Sequence, residues 1–307
     1  MAKKILFVVM AVMLAAAANA KPGKAVKPEA LYAVTDTCKT CHEDKHKSYS
    51  QTYHSQKNDP RTPAAKNGCE TCHGAGTAHA KAGGGKGVGG IVPLSPSSST
   101  PVSKINETCL QCHAKGKTAM WKGSAHESRG LACSTCHDPH GGNAKNLIKP
   151  KQAQVCGQCH PSVVSESLKM SHHPVREGKM NCSDCHNPHG TVTDKLISAN
   201  SVNEKCFECH TEKRGPFLWE HAPATESCLS CHKPHGSSHE KLLVERRPYL
   251  CQQCHSNSRH PGTLYAITKA TNSVYQVSSD RLFSRACSIC HSQIHGSNHP
   301  SGKFFAR

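Results

Sequence analysis

The longest apolar stretch of the chain lies at its start and contrasts with a mostly polar remainder. Residues 5–18 are all apolar, follow Lys3 and Lys4, and lead into Ala18-Asn19-Ala20. A charged start, an apolar run and an A-x-A site are typical of a secretory signal peptide. The alternative, an uncleaved membrane anchor, would need about 20 apolar residues. We therefore predict a signal peptide over residues 1–20, cleavage before Lys21, and a soluble, exported mature chain.

Apolar residues are sparse after this start, and no later stretch resembles a membrane-spanning helix. Hydrophobic residues make up 36% of the sequence and aromatic residues 5%, which is low for a chain of this length. Because side chains alone would form a poor core, the sequence predicts mostly irregular structure with short α-helices. Residues 21–37, rich in Lys, Pro and Ala, are predicted to form a flexible N-terminal lead-in.

One pattern, C-x-x-C-H, occurs ten times and includes all 20 cysteines. It is the attachment motif of c-type haem, in which both thiols bind the haem vinyl groups and the His ligates the iron. Zinc ribbons also contain paired cysteines, but they do not require a His after every second one. The sequence therefore predicts ten c-type haems, numbered here in motif order, and leaves no cysteine for a disulfide or a nucleophile.

Each motif supplies two attachment residues and one iron ligand. The predicted covalent attachment residues are Cys38, Cys41, Cys69, Cys72, Cys109, Cys112, Cys133, Cys136, Cys156, Cys159, Cys182, Cys185, Cys206, Cys209, Cys228, Cys231, Cys251, Cys254, Cys287 and Cys290. The predicted proximal iron ligands are His42, His73, His113, His137, His160, His186, His210, His232, His255 and His291.

The motifs form a repeat of two haems. From Cys109 onward, the first cysteine of every second motif recurs at positions 109, 156, 206 and 251. We therefore predict one decahaem domain, residues 38–307, in which five modules contact mainly their neighbours. The predicted modules are 38–108, 109–155, 156–205, 206–250 and 251–307. The predicted fold is a multihaem cytochrome c, an extended haem ribbon built from five two-haem repeats.

Each module also contains histidines outside its motifs. An intervening histidine lies between the two motifs, and a following histidine comes shortly after the second. Three following histidines share the context Pro-His-Gly, at His140, His189 and His235. A His three residues after a motif His cannot easily reach the same iron, and the Pro stiffens the chain before it. We therefore predict that these histidines ligate neighbouring haems.

The predicted distal ligands comprise five intervening and five following histidines. The intervening ones are His54, His126, His172 (alternatively His173), His221 and His260, and the following ones are His79, His140, His189, His235 and His295. His172 is preferred because it and His221 each stand two residues before a Pro. His46, His173, His239 and His299 have no assigned role.

The formal net charge of +17 could indicate nucleic-acid binding. Every c-type haem, however, carries two propionates, so ten haems would offset this charge. We interpret the Lys and Arg side chains as partners of propionates and predict no binding of nucleic acid.

Segments between the motifs give a more specific resemblance. They are residues 68–74 (GCETCHG), 171–175 (SHHPV), 215–217 (GPF) and 295–302 (HGSNHPSG). With the ten motifs, they make the mature chain similar to the MtrA/DmsE-type periplasmic decahaem c-type cytochromes. The resemblance implies closely spaced haems with His on both faces, insertion into an outer-membrane β-barrel porin, and contact with an extracellular multihaem cytochrome or reductase.

Irons with His on both faces have no open position for a substrate. We therefore predict an electron carrier and not an enzyme. It would sit in the periplasm at the outer membrane and receive or deliver electrons through a periplasmic or inner-membrane cytochrome. The alternatives are a soluble periplasmic electron shuttle and a multihaem reductase with one open haem. The sequence does not predict the direction of electron flow or the terminal acceptor or donor.

Overall fold

The computed structural model describes residues 32–33, 35–141, 152–255, 286–300 and 302–305. Within these ranges the chain forms short helices joined by turns, and β-pairing is limited to isolated bridges. The longest helix among them, Val102–Leu110, has nine residues. The predicted mostly irregular chain with short α-helices is thus confirmed. The predicted signal peptide lies outside the described residues.

The helices are distributed along the whole described chain. The α-helices are Thr35–Lys39, Glu43–Tyr49, Glu70–His73, Thr77–Lys81, Val102–Leu110, Ala125–Ser128, Cys133–Cys136, Gln152–Gly157, Pro161–Glu166, Val202–Phe207, Ala222–Glu226 and Tyr249–Gln252. The 3-10 helices are Tyr53–Ser55, Pro63–Ala65, Gly116–Thr118, Cys182–Asp184, Asp194–Leu196, Thr211–Lys213, Cys228–Ser230, Glu240–Leu242, Cys287–Ile289 and Gly302–Phe304. None of the helices in the described ranges is long and apolar enough to cross a membrane.

The chain divides into two compact units. Unit 1 comprises Met1–Thr100 and Pro139–Gly141, and unit 2 comprises Pro101–Asp138 and Gly142–Arg307.

In unit 1, a buried carboxylate fixes the start of the described chain. Glu70 is 5% exposed, and its Oε1 accepts hydrogen bonds from the backbone N–H groups of Ala33 (2.7 Å) and Gly76 (2.6 Å). Buried charges need such partners. The end of the predicted flexible lead-in is therefore held in place, and helix Thr35–Lys39 begins inside it.

In unit 2, polar clamps join the two motifs of a module. The side chain of Asn106 accepts a hydrogen bond from the backbone N–H of Cys133 (2.8 Å) and donates one to the carbonyl of Leu131 (3.0 Å). Asn203 makes the same two bonds at Cys228 (2.9 Å) and Thr225 (2.9 Å). Each Asn lies three residues before the first motif of its module, and its side chain is hydrogen-bonded to the first residue of the second motif. Buried apolar residues are few in the described part of unit 2: Ile105, Trp121, Ala132 and Leu243.

Candidate haem-binding site

All ten C-x-x-C-H motifs adopt the same helical turn. In each, the backbone N–H of the His donates to the carbonyl of the first Cys at 2.9–3.1 Å. Residues three and four apart lie on one face of such a turn, so both thiols and the imidazole project to the same side. A haem with two thioether bonds and one axial His requires this arrangement. The residues present therefore fit a covalently attached haem at each motif.

The first cysteines of the two motifs in a module lie side by side. A hydrogen bond from Cys156 lowers the pKa of the Cys182 thiol to about 7, against the opposing effect of burial. Burial raises the pKa of the Cys38 thiol to about 11, and its contact with Cys69 adds to this. The five such pairs are Cys38–Cys69, Cys109–Cys133, Cys156–Cys182, Cys206–Cys228 and Cys251–Cys287. They are the motif pairs that the sequence repeat groups into modules.

Unit 2 also brings motifs of successive modules together. Burial and the paired Cys228 raise the pKa of the Cys206 thiol to about 11, and Cys185 of the preceding module raises it further. Cys231 acts on Cys251 in the same direction. The motifs of unit 2 therefore neighbour one another in the order of the sequence.

Eight motif histidines each face a histidine from outside the motifs. The ring centroids of these pairs are 5.8–6.4 Å apart. An imidazole nitrogen lies about 2.0–2.1 Å from a bound metal such as zinc, so two rings on opposite sides of one ion have centroids about 6 Å apart. The pairs are His42–His79, His73–His140, His160–His126, His137–His189, His210–His173, His186–His235, His255–His221 and His232–His295. This spacing fits one haem iron between the two rings of each pair.

The facing histidines follow a rule of direction. In unit 2 the following histidines His189, His235 and His295 each face the second motif of the preceding module. The intervening histidines His126, His173 and His221 each face the first motif of the next module. In unit 1, His79 instead faces His42 of its own module, and His140 faces His73.

Of the two adjacent histidines His172 and His173, the geometry favours His173 as a distal ligand. The His173 ring faces His210 at 6.4 Å. His172 Nδ1 is bonded to the carbonyl of Lys169 (2.6 Å), and its Nε2 to Glu177 (3.1 Å). Both nitrogens of His172 are thus engaged by protein groups, and His173 becomes the proposed distal ligand.

The reason is a difference in register. Ser171 and Trp219 occupy equivalent isolated bridges, to Ser237 and Ser297. His173 and His221 each lie two residues after their bridge residue, and side chains two apart in extended backbone share a side. The register of the bridges therefore favours His173, whereas alignment by the downstream Pro favours His172.

Motif histidines of second motifs are held by the main chain. The Nδ1–H groups of His186 and His232 donate to the carbonyls of Lys195 and Lys241, both at 2.8 Å. Those of His73 and His291 donate to the carbonyls of Val92 (2.9 Å) and Phe304 (2.6 Å). Because Nδ1 carries the proton, Nε2 keeps its lone pair for a metal. For His137, the corresponding loop lies outside the described residues.

The loops that supply these carbonyls adopt an uncommon conformation. Lys195 and Leu196 have φ of 56° and 58°, and Lys241 and Leu242 have 56° and 59°. Residues other than Gly rarely adopt positive φ. Two consecutive residues with positive φ thus recur in two modules, and in each the carbonyl of the first residue accepts the hydrogen bond of the motif His.

Each intervening histidine described in unit 2 is hydrogen-bonded to the backbone carbonyl of the residue that precedes a following histidine. The Nδ1–H groups of His126 and His173 donate to the carbonyls of Pro188 (2.7 Å) and Pro234 (2.8 Å). His221 donates to the carbonyl of Ile294 (2.9 Å). Each acceptor residue directly precedes a following histidine in the sequence. Histidines that face two different motifs are therefore held at one turn.

Burial favours the neutral form of two of the following histidines. Burial lowers the pKa of His189, and the nearby His137 lowers it further. Burial likewise lowers the pKa of His235, with His186 adding to the effect. A neutral imidazole is the form that binds a metal.

The contacts described above do not test every predicted distal ligand. His54 lies in the turn Tyr53–Ser55, where its carbonyl accepts a hydrogen bond from the Tyr49 hydroxyl (2.6 Å). His260 lies outside the described residues. The distal roles of His54 and His260 therefore stay predictions.

The clamps formed by Asn106 and Asn203 were missed by the sequence analysis. The available signal was an Asn three residues before the first Cys of two modules. Gln152 forms an equivalent clamp, since its side chain bonds the backbone N–H (2.8 Å) and hydroxyl (2.9 Å) of Ser183.

Comparison with known proteins agrees with this geometry. The family model of the doubled CXXCH motif matches residues 126–165, 172–215 and 221–260. Each matched segment contains an intervening histidine and the motif histidine that it faces. The chain is 40% identical over 276 residues to "Multiheme cytochrome MtrA" of Shewanella baltica (strain OS185), which covers 89% of this chain and 81% of the relative.

Ten identical motif turns and paired histidines define a multihaem c-type cytochrome. The chain is thus an electron-transfer cytochrome. More narrowly, the chain belongs to the MtrA family of multihaem cytochromes.

Proposed function

We propose that the chain binds ten haems and conducts electrons across the outer membrane inside a β-barrel porin. Its inner partner is a periplasmic or inner-membrane cytochrome, and its outer partner is an extracellular cytochrome, reductase or metal acceptor or donor. The protein accordingly resides in the periplasm, in association with the outer membrane. The similarity to the Shewanella baltica cytochrome supports the family, and the conduit across the outer membrane is the further step that we propose.

The observation that carries this proposal is the exchange of histidines between successive modules in unit 2. A turn such as 188–189 contributes a facing ligand to haem four and holds, through the Pro188 carbonyl, the facing ligand of haem five. Haem supplies the redox-active iron, and the protein supplies spacing and orientation. Because one turn contacts the sites of two haems, it fixes the distance between those haems. Electron transfer from haem to haem requires such a fixed distance.

Facing histidines also favour a conductor over a reductase. In the eight pairs, both axial positions of an iron would be filled by imidazole. Such irons have no position at which a substrate such as nitrite binds.

The test is isolation of the native complex from outer membranes, followed by its insertion into liposomes that enclose a redox dye. We expect an intact mass with ten haems, a co-purifying barrel, and reduction of the enclosed dye by an external donor. Liposomes with the barrel alone serve as the control and should leave the dye oxidised. Recovery of the cytochrome without a barrel would overturn the conduit and leave a soluble shuttle.

A further inference from the structure

Three buried side-chain polar atoms have no hydrogen-bond partner within the described ranges: Thr77 Oγ1, Trp121 Nε1 and Ser134 Oγ. Two of them lie at the haem-four site of unit 2. Ser134 is part of the haem-four motif, and the Trp121 ring centroid is 6.3 Å from that of His189, the histidine that faces this motif. These two unpartnered atoms therefore indicate that the site binds a group that accepts hydrogen bonds.

Trp121 is fixed in place by its surroundings. Its side chain is 7% exposed. The Asn187 amide donates to the carbonyl of Lys117 (2.9 Å), which docks the segment before Trp121 on the turn that carries the facing histidine. At Gly190, φ is +120° and an added Cβ would lie 2.2 Å from the Met120 carbonyl oxygen. Because the two segments approach so closely, the indole cannot turn its N–H to solvent without separating them.

An indole N–H can only donate a hydrogen bond, and burying it without an acceptor is unfavourable. A c-type haem brings two propionate carboxylates, which are acceptors. We propose that Trp121 is a further haem-binding residue, whose Nε1–H donates to a propionate of haem four. This inference rests on the proposed ligation of haem four by His137 and His189.

The contact has a consequence for the haem that it touches. A hydrogen bond to an ionised carboxylate is stronger than one between neutral groups and offsets part of the negative charge near the iron. Trp121→Phe keeps an aromatic ring but removes the donor. The reduction potential of haem four should therefore fall, while the other nine stay unchanged.

The holoprotein offers a matched control, because the chain has two tryptophans and the second, Trp219, is 40% exposed. Haem is labelled with carbon-13 at the propionate carboxyl carbons, and the carboxylate bands are followed by infrared difference spectroscopy. Trp121→Phe should shift one labelled band and one potential, and Trp219→Phe should shift neither. An unshifted band in a Trp121→Phe protein that retains ten haems would overturn the contact but not the conduit.

A second measurement leaves Trp121 in place, in case its replacement prevents folding. In the Trp219→Phe holoprotein, Trp121 is the single indole, and its N–H-sensitive ultraviolet resonance Raman band reports the strength of its hydrogen bond. We expect the position of an indole bonded to a carboxylate. A band typical of a free or weakly bonded indole would overturn the proposal, and an intact mass lacking haem four would overturn both it and the proposed ligand set.

Discussion

The two haem positions of a module hold their histidines in opposite ways. At the second position the motif His is half-buried and bonded to a carbonyl of its own loop, as His186 is to Lys195. At the first position the motif His is exposed, as His160 is. There the facing His126 carries the carbonyl bond, to a turn that serves another haem.

This difference teaches where the modules are joined. At the second position, the motif His is oriented by a hydrogen bond to a loop of its own module, and the next module contributes only the His that faces it. At the first position, the facing His is oriented by a hydrogen bond to another module. Its acceptor is the carbonyl directly before the His that faces a second haem position. Changes at first positions should therefore spread to a second haem, and changes at second positions should stay local.

The largest effect is expected for His173→Ala. It removes the facing ring of His210 and also the donor to the Pro234 carbonyl, which precedes His235. We expect one high-spin haem that binds cyanide, together with a changed potential at haem six, measured by electron paramagnetic resonance and redox titration. The control, His172→Ala, should leave every haem low-spin. A high-spin haem in His172→Ala instead would show that His172, and not His173, is the distal ligand.

His235→Ala should have a smaller and local effect. It removes the facing ring of His186, whose Nδ1 remains bonded to Lys195. One haem should become high-spin, and the potentials of the other nine should be unchanged by redox titration. His239→Ala, four residues further on, is the matched control and should match the unmodified protein. A second perturbed haem in His235→Ala would break the comparison.

The module clamps should affect stability and leave ligation intact. Asn106→Ala leaves the part-buried N–H of Cys133 without its acceptor, which costs about 1–3 kcal/mol. Asn203 makes the same contact but is less buried than Asn106, so Asn203→Ala should cost about 1 kcal/mol or less. Denaturant unfolding of the two holoproteins, followed by haem absorbance, measures the difference. Equal losses would show that burial does not set the strength of the clamp.

The smallest effect is expected in the strained loops. Lys195 has φ of 56°, so Lys195→Gly relieves strain of about 1 kcal/mol or more but adds about 0.4–1 kcal/mol of chain entropy in the unfolded state. The net change in unfolding free energy should be at most slightly stabilising, by less than about 1 kcal/mol. Lys205→Gly, inside helix Val202–Phe207, should destabilise by about 1 kcal/mol. A clear loss in Lys195→Gly would mean that the Lys side chain itself supports the loop.

The features that could be predicted from the sequence are those that depend on residues close together in the chain. The ten motif turns depend on contacts four residues apart, and the following histidines were recognised because Pro-His-Gly recurs three times. The need for Gly in that pattern was not evident. At Gly236 an added Cβ would lie 1.9 Å from the Glu166 carbonyl oxygen, and at Gly190 2.2 Å from the Met120 carbonyl oxygen.

The facing partners could not be predicted, because they depend on contacts between distant residues. His126 and Pro188 are 62 residues apart, and His173 and Pro234 are 61 apart. No local pattern encodes whether a histidine reaches forward or back. Of the adjacent His172 and His173, the bridge between Ser171 and Ser237 selects the one that faces a motif, and that bridge is a tertiary contact.

The most direct test of the paired-histidine account is near-infrared magnetic circular dichroism on the intact holoprotein, calibrated by its mass. The account predicts ten haems, all low-spin with His on both faces, and no change on adding cyanide or nitrite. A stable high-spin haem that binds nitrite would contradict it and favour a multihaem reductase.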